Sequence, residues 1–252
     1  MQHRGPGLWA IVVSSLVLIA PAHAETAQVA VAANFAEPLK AVAAVLEKTT
    51  GHTLKITVGA TGKLYAQIKN GAPFDVLLAA DAKTPALLDA DGLTQPGSRF
   101  TYATGKLVLW SADVTKVDAA GEVLKNGNFR KIAYASPKVA PYGAAAVQVI
   151  EHMGLSSALN PKLVQGESIG QTFSFAYTGN AEMGFVALSQ VLEGGKLKSG
   201  SMWIIPQSLY EPIQQSAVIL KRATNNPAAQ ALMTLLKSPS IKDLIRSYGY
   251  EL

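Results

Sequence analysis

Cysteine is missing from all 252 residues, so disulfides, thiolate metal ligands and cysteine nucleophiles are excluded. Histidine is scarce. His3, His23, His52 and His152 show neither HxH nor HExxH spacing. Clustered positive charge is also lacking: no basic run exceeds "KR" or "RK", and none is interleaved with aromatics. Nucleic-acid binding needs such clustering and is not expected. The net charge of +5 is mild, enough to help draw in a small anion.

The longest apolar stretch, "LWAIVVSSLVLIA", is too short to span a bilayer as about 20 apolar residues would. It follows Arg4 and precedes "AHA" at Ala22–Ala24, the three-part pattern of an export signal. Residues 1–24 are expected to be removed before Glu25, leaving an exported chain with a net charge of +4.

What is present is alternation. "QVAVAA", "TLKITVGA" and "FDVLLAA" are apolar strands separated by amphipathic helical stretches, and a second series starts with "GKLVLWSA" and "RKIAYA". Later come "KLVQG", "AEMGFVAL" and "QSAVILKRA", with two helical segments closing the chain. Apolar strands between helices predict an α/β protein whose sheets are mostly parallel and covered on both faces. Two such series predict two lobes: 25–104 as the first part of one, 105–211 as the other, and 212–252 returning to the first.

Four strand-to-helix junctions carry polar or small residues and no charged side chain. In "AANFAEPLK", Asn34 can cap a helix, with Glu37 completing a capping-box-like pair. Its amide could instead face an anion, since helix starts supply free N–H groups and a favourable dipole. "VGATGKL" sets Thr61 at a second start, as a hydroxyl cap or as a donor; it lacks the glycine spacing and the Ser/Thr after Lys63 of a nucleotide loop. "APYGAAA" puts Tyr142 in a first turn, as packing or as a phenol donor. In "GESIGQ", Ser168 can cap and Ile169 opens the helix. Asp75 and Asp81 flank the "VLLAA" strand, where bonding to loop N–H groups is the expected role.

The blocks "AANFAEPLK", "GATGKLYAQIKNGAPFDVLLAAD", "GKLVLW", "APYGAAA", "AEMGFVALSQ" and "SPSIKDLIRSYGY" occur in one order from about Val29 onward. In these the chain resembles the periplasmic molybdate-binding proteins of ABC transporters, within the type II periplasmic binding proteins. The resemblance implies two α/β lobes closing on molybdate or tungstate, with no catalysis and no cofactor, and delivery to an inner-membrane permease by a periplasmic monomer. Molybdenum would enter only as the bound oxyanion. Carried over by position, the anion is expected at Asn34, Thr61, Tyr142 and the backbone of Ile169. Many members have Tyr where this chain has Ala187, and Tyr142 is the candidate replacement for that donor. Sulfate, or a hydrolase on an α/β fold, are the alternative readings.

Overall fold

A computed structural model describes residues 24–252, together with Met1. The expected export signal therefore lies outside the described residues. Among the described residues, no helix is long and apolar enough to cross a membrane.

The chain builds two five-stranded sheets flanked by helices. The first holds β1 (Thr26–Ala32), β2 (Thr53–Gly59), β3 (Val76–Leu78) and β4 (Phe100–Gly105). The second holds β5 (Leu107–Ser111), β6 (Ile132–Ala135), β7 (Leu163–Gly166) and β8 (Met183–Ala187). A small ribbon follows, β9 (Leu192–Glu193) with β10 (Lys196–Leu197). Then β11 (Ser201–Ile204) joins the second sheet and β12 (Ile213–Ile219) returns to the first. The strand orders are β2-β1-β3-β12-β4 and β11-β5-β8-β6-β7.

Each sheet has a three-strand parallel part, β2-β1-β3 or β7-β6-β8, and two strands that join antiparallel. The parallel part is what the apolar runs between helices predicted. The antiparallel strands adjoin the two places where the chain changes sheet, between β4 and β5 at Lys106 and between β11 and β12. Sequence reading omitted β4, β11 and the ribbon. β4 and β11 are edge strands, so a continuous apolar run is not required of them.

Side-chain alternation makes each sheet a two-faced wall. Val29, Val31, Val76 and Leu78 face one core of the first lobe, while Ala30 and Leu77 face the other. In the second lobe Leu107 and Leu109 pack with Phe185 on one face, and Val108 and Trp110 with Val186 on the opposite face. Each such Val, Leu or Phe contributes roughly 1.5–3 kcal/mol by burial.

The helices are α1 (Ala36–Thr50), α2 (Thr61–Lys69), α3 (Lys83–Ala90), α4 (Val123–Asn126) and α5 (Pro141–His152). They continue as α6 (Ser156–Leu159), α7 (Ile169–Tyr177), α8 (Leu188–Val191), α9 (Pro227–Leu236) and α10 (Pro239–Ser247). In α1, Leu39, Val42 and Leu46 fall on one buried face, and Gly51 ends the helix in the left-handed conformation (φ 75°).

Candidate oxyanion site between the lobes

Asn34 lies in a 3-10 turn, Ala33–Phe35, that joins β1 to α1. Phe35, not Asn34, precedes α1, and no side chain caps that helix. The expected capping box is therefore absent, and Glu37 instead pairs with Lys40 on the surface (2.7 Å). The reason is a stronger claim on the amide: Asn34 Nδ2 donates to Gln215 Oε1 (2.8 Å) and to the Tyr250 hydroxyl (2.9 Å). Both partners lie far away in sequence and both are buried.

Thr61 is the first residue of α2 and is buried. Its Oγ1 accepts from the Ala80 N–H (3.0 Å), so it does not cap its own helix. A hydroxyl used as acceptor in this way keeps its proton for another partner.

Tyr142 follows Pro141 in the first turn of α5 and is 1% exposed. Its hydroxyl accepts from Gln215 Nε2 (3.0 Å). Burial pushes the phenol well above its usual pKa, helped by the nearby Tyr250 and Tyr102. The group is therefore a neutral O–H at physiological pH. It fits because residue 105 is glycine: a Cβ there would lie 1.9 Å from the Tyr142 hydroxyl.

Ile169 opens α7. Ser168 caps that helix by accepting from the Gln171 N–H (3.2 Å), and Gln190 Nε2 holds the Ile169 carbonyl (3.1 Å). In a first turn the backbone N–H groups have no intrahelical acceptor, so that of Ile169 is available to a ligand.

All four candidate residues line one small cavity, together with Ala32, Gly59, Ala80 and Ala140. No charged side chain lines it. Elements of both sheets contribute, and the starts of α2, α5 and α7 meet there with the turn before α1. Helix starts present N–H donors and positive dipole ends, an arrangement suited to an anion. The two halves are closed over the cavity. The Gly62 N–H donates to the Val139 carbonyl (2.9 Å), Ser189 Oγ to the Asn34 carbonyl (2.8 Å), and Lys63 pairs with Glu167.

A larger open groove, about 600 Å³, adjoins the cavity at Ala80, Ala140 and Pro141 and carries Asp81, Lys83 and Lys138. Size alone would favour it. The four residues at helix or turn starts line the small cavity instead, an arrangement suited to a small anion. Asp81 accepts from the Thr84 N–H (2.6 Å) and hydroxyl (3.1 Å), and Asp75 from the Gln28 N–H (2.7 Å) and Arg222 (2.7 Å). Both acids thus hold loops. Burial raises the Asp81 pKa against the lowering effect of the Thr84 bonds. Ala187 does not line the cavity; its N–H donates to Gln190 Oε1 (3.0 Å). Among the described residues no group of three His, Cys, Asp or Glu could hold a metal ion.

Sequence reading missed Gln215, Tyr102, Tyr250 and Ser189, which are buried and bonded around Asn34. Nothing local to any of them signals that position.

Comparison with known proteins fits this geometry. Residues 27–251 match the family described as bacterial extracellular solute-binding proteins. The chain belongs to that family. Among its relatives, the molybdate-binding protein ModA of Azotobacter vinelandii is 56% identical over 236 residues, covering 94% of each chain. ModA of Rhodobacter capsulatus is 51% identical over 233 residues, covering 92% of this chain and 91% of its own. The solved structure of the Azotobacter vinelandii periplasmic molybdate-binding protein superimposes with a TM-score of 0.87 at 44% identity, covering 90% of this chain and 99% of that one.

Proposed function

We propose that the protein captures molybdate, with tungstate as a near-equivalent, in the periplasm and delivers it to an inner-membrane ABC permease. The observation that carries this reading is the closed cavity itself: uncharged donors from both sheets, at four helix or turn starts, around one small space. Neutral donors suit reversible capture, because the ligand must also be given up. The names of the two closely related proteins supply the choice of molybdate.

On this reading Asn34, Thr61, Tyr142 and the Ile169 backbone surround the oxyanion, and the Tyr142 hydroxyl is the reserve for the donor that Ala187 lacks. One lobe comprises 25–104 with 212–252 and the other 105–211. The protein acts as a monomer that binds rather than transforms its ligand.

Calorimetric titration with molybdate, tungstate, sulfate and phosphate tests the assignment. One site per chain is expected, with molybdate and tungstate bound far more tightly than sulfate or phosphate. Molybdate at about 100 times its Kd should stabilise the folded chain by about 2.7 kcal/mol and raise its melting temperature. Equal affinities for sulfate and molybdate would reject the specificity.

A further inference from the structure

Gln215 sits on β12, the strand that returns from the second sheet to the first, and its side chain is fully buried. The pairing of β12 with β4 shifts register between Gln215 and Ser216, an irregularity of the kind that re-aims side chains. The Gln215 amide bridges the two candidate side-chain donors contributed by the two lobes. Its Oε1 accepts from Asn34 Nδ2 (2.8 Å) and from the Tyr102 hydroxyl (3.0 Å), while its Nε2 donates to the Tyr142 hydroxyl (3.0 Å).

This chain of bonds has a direction. In the sense just described, the Tyr142 hydroxyl accepts from Gln215 and keeps its proton for another partner, and Tyr142 lines the cavity. Asn34 then has no N–H left for a ligand, because Nδ2 serves Gln215 and Tyr250. Its other end, Oδ1, is a buried oxygen with no hydrogen-bond partner. An unpaired buried acceptor costs about 1–3 kcal/mol, and an anion beside it cannot repair the loss.

Turning both amides end for end keeps every heavy-atom contact and reverses the sense. Gln215 Nε2 then donates to Asn34 Oδ1 and to the Tyr102 hydroxyl, which already has the Ala79 carbonyl as acceptor at 3.1 Å. The Tyr250 hydroxyl donates to Asn34 Oδ1, and Ser189 still serves the Asn34 carbonyl. The Tyr142 hydroxyl donates to Gln215 Oε1, and Asn34 Nδ2 is released on the side where Oδ1 stood unpaired. Turning Asn34 alone is excluded, since it would set two amide oxygens 2.8 Å apart with no hydrogen between them.

We propose that Gln215 is a positioning residue that makes Asn34 and Tyr142 alternative donors to the ligand, one or the other but not both. The bound oxyanion selects the sense in which Asn34 Nδ2 donates, because that sense leaves no buried acceptor unpaired. The proposal rests on reading the cavity as an oxyanion site. A donor lost on one side of Gln215 is replaced from the other, so the two lobes share one degree of freedom in hydrogen bonding.

The test is a double-mutant cycle on the full mature chain, read by molybdate calorimetry. With Asn34 present, Tyr142→Phe should leave Kd nearly unchanged, because Asn34 supplies the donor. In the Asn34→Ala background, Tyr142→Phe should weaken binding about tenfold or more, the loss of one hydrogen bond to a charged group. Independent donors would instead give the same loss in both backgrounds and would overturn the proposal. If Asn34→Ala does not fold, side-chain amide signals of 15N-labelled wild-type protein decide. Molybdate should then shift the Asn34 and Gln215 signals together, and a moving Asn34 signal beside a fixed Gln215 signal would refute the coupling. Failure of wild-type protein to bind molybdate is a different result, and it removes the functional reading itself.

Discussion

Gly105→Ala is expected to abolish tight oxyanion binding while leaving a folded protein. The added methyl would lie 1.9 Å from the Tyr142 hydroxyl, 2.9 Å from its Cζ and 2.5 Å from Gln215 Nε2. Neither neighbour can swing aside cheaply. Tyr142 is 1% exposed and Gln215 is fully buried, so the hydroxyl and the amide must both leave their present positions. Overpacking of this kind typically costs about 1–3 kcal/mol, which a chain of this size can absorb. Affinity should fall more, by about a hundredfold or beyond, because the bridge that orders the donors of both lobes is displaced. Calorimetry and thermal melting check the two halves of this expectation. Wild-type affinity in a fully folded Gly105→Ala protein would show that Tyr142 and Gln215 do not order the site.

Thr61→Val should have the second largest effect, on binding and stability together. Valine keeps the shape but loses the hydroxyl, removing the proposed donor to the ligand and the acceptor of the Ala80 N–H. Loss of a hydrogen bond to a charged ligand corresponds to about ten- to a hundredfold in Kd. The orphaned, buried Ala80 amide adds about 1–3 kcal/mol of destabilisation that does not depend on ligand. Thr61→Ser keeps both bonds and should recover most of the affinity. His152→Ala, remote from the cavity, should bind as wild type, its ring lying instead against the Leu209 carbonyl (2.8 Å). Equal affinity for molybdate in Thr61→Val and Thr61→Ser would exclude the hydroxyl as a donor.

Much of the scaffold is legible in the sequence because buried parallel strands are apolar on both faces and helices are not. The β1, β3 and β8 segments declare themselves in this way, whereas β2 is an edge strand with no buried residue. β4 is less legible, since its outer neighbours are few and its sequence "FTYATG" carries two threonines. At the site, what can be read locally is position. Thr61, Tyr142 and Ile169 stand at helix starts in the sequence and in the structure alike. What cannot be read locally is which way a side chain is engaged. A cap was a sound local expectation for Asn34, and it fails because Gln215, 181 positions away, takes the amide instead. The same holds for Thr61, whose hydroxyl is claimed by Ala80 across the turn rather than by its own helix.

The return of β12 also has a consequence for how the molecule can be assembled. All five strands of the second sheet lie in one uninterrupted stretch, 107–204, whereas the first sheet has a gap in the middle of its order until β12 arrives between β3 and β4. A chain emerging from its N-terminus can therefore finish the second sheet while β3 and β4 still present unpaired edges. Such edges template association with other chains. The first sheet is complete only once β12 lies between β3 and β4, and the strand that completes it also delivers Gln215. Closure of the last sheet and completion of the hydrogen-bond bridge are thus one event, so a half-assembled molecule has no ordered site with which to hold an ion.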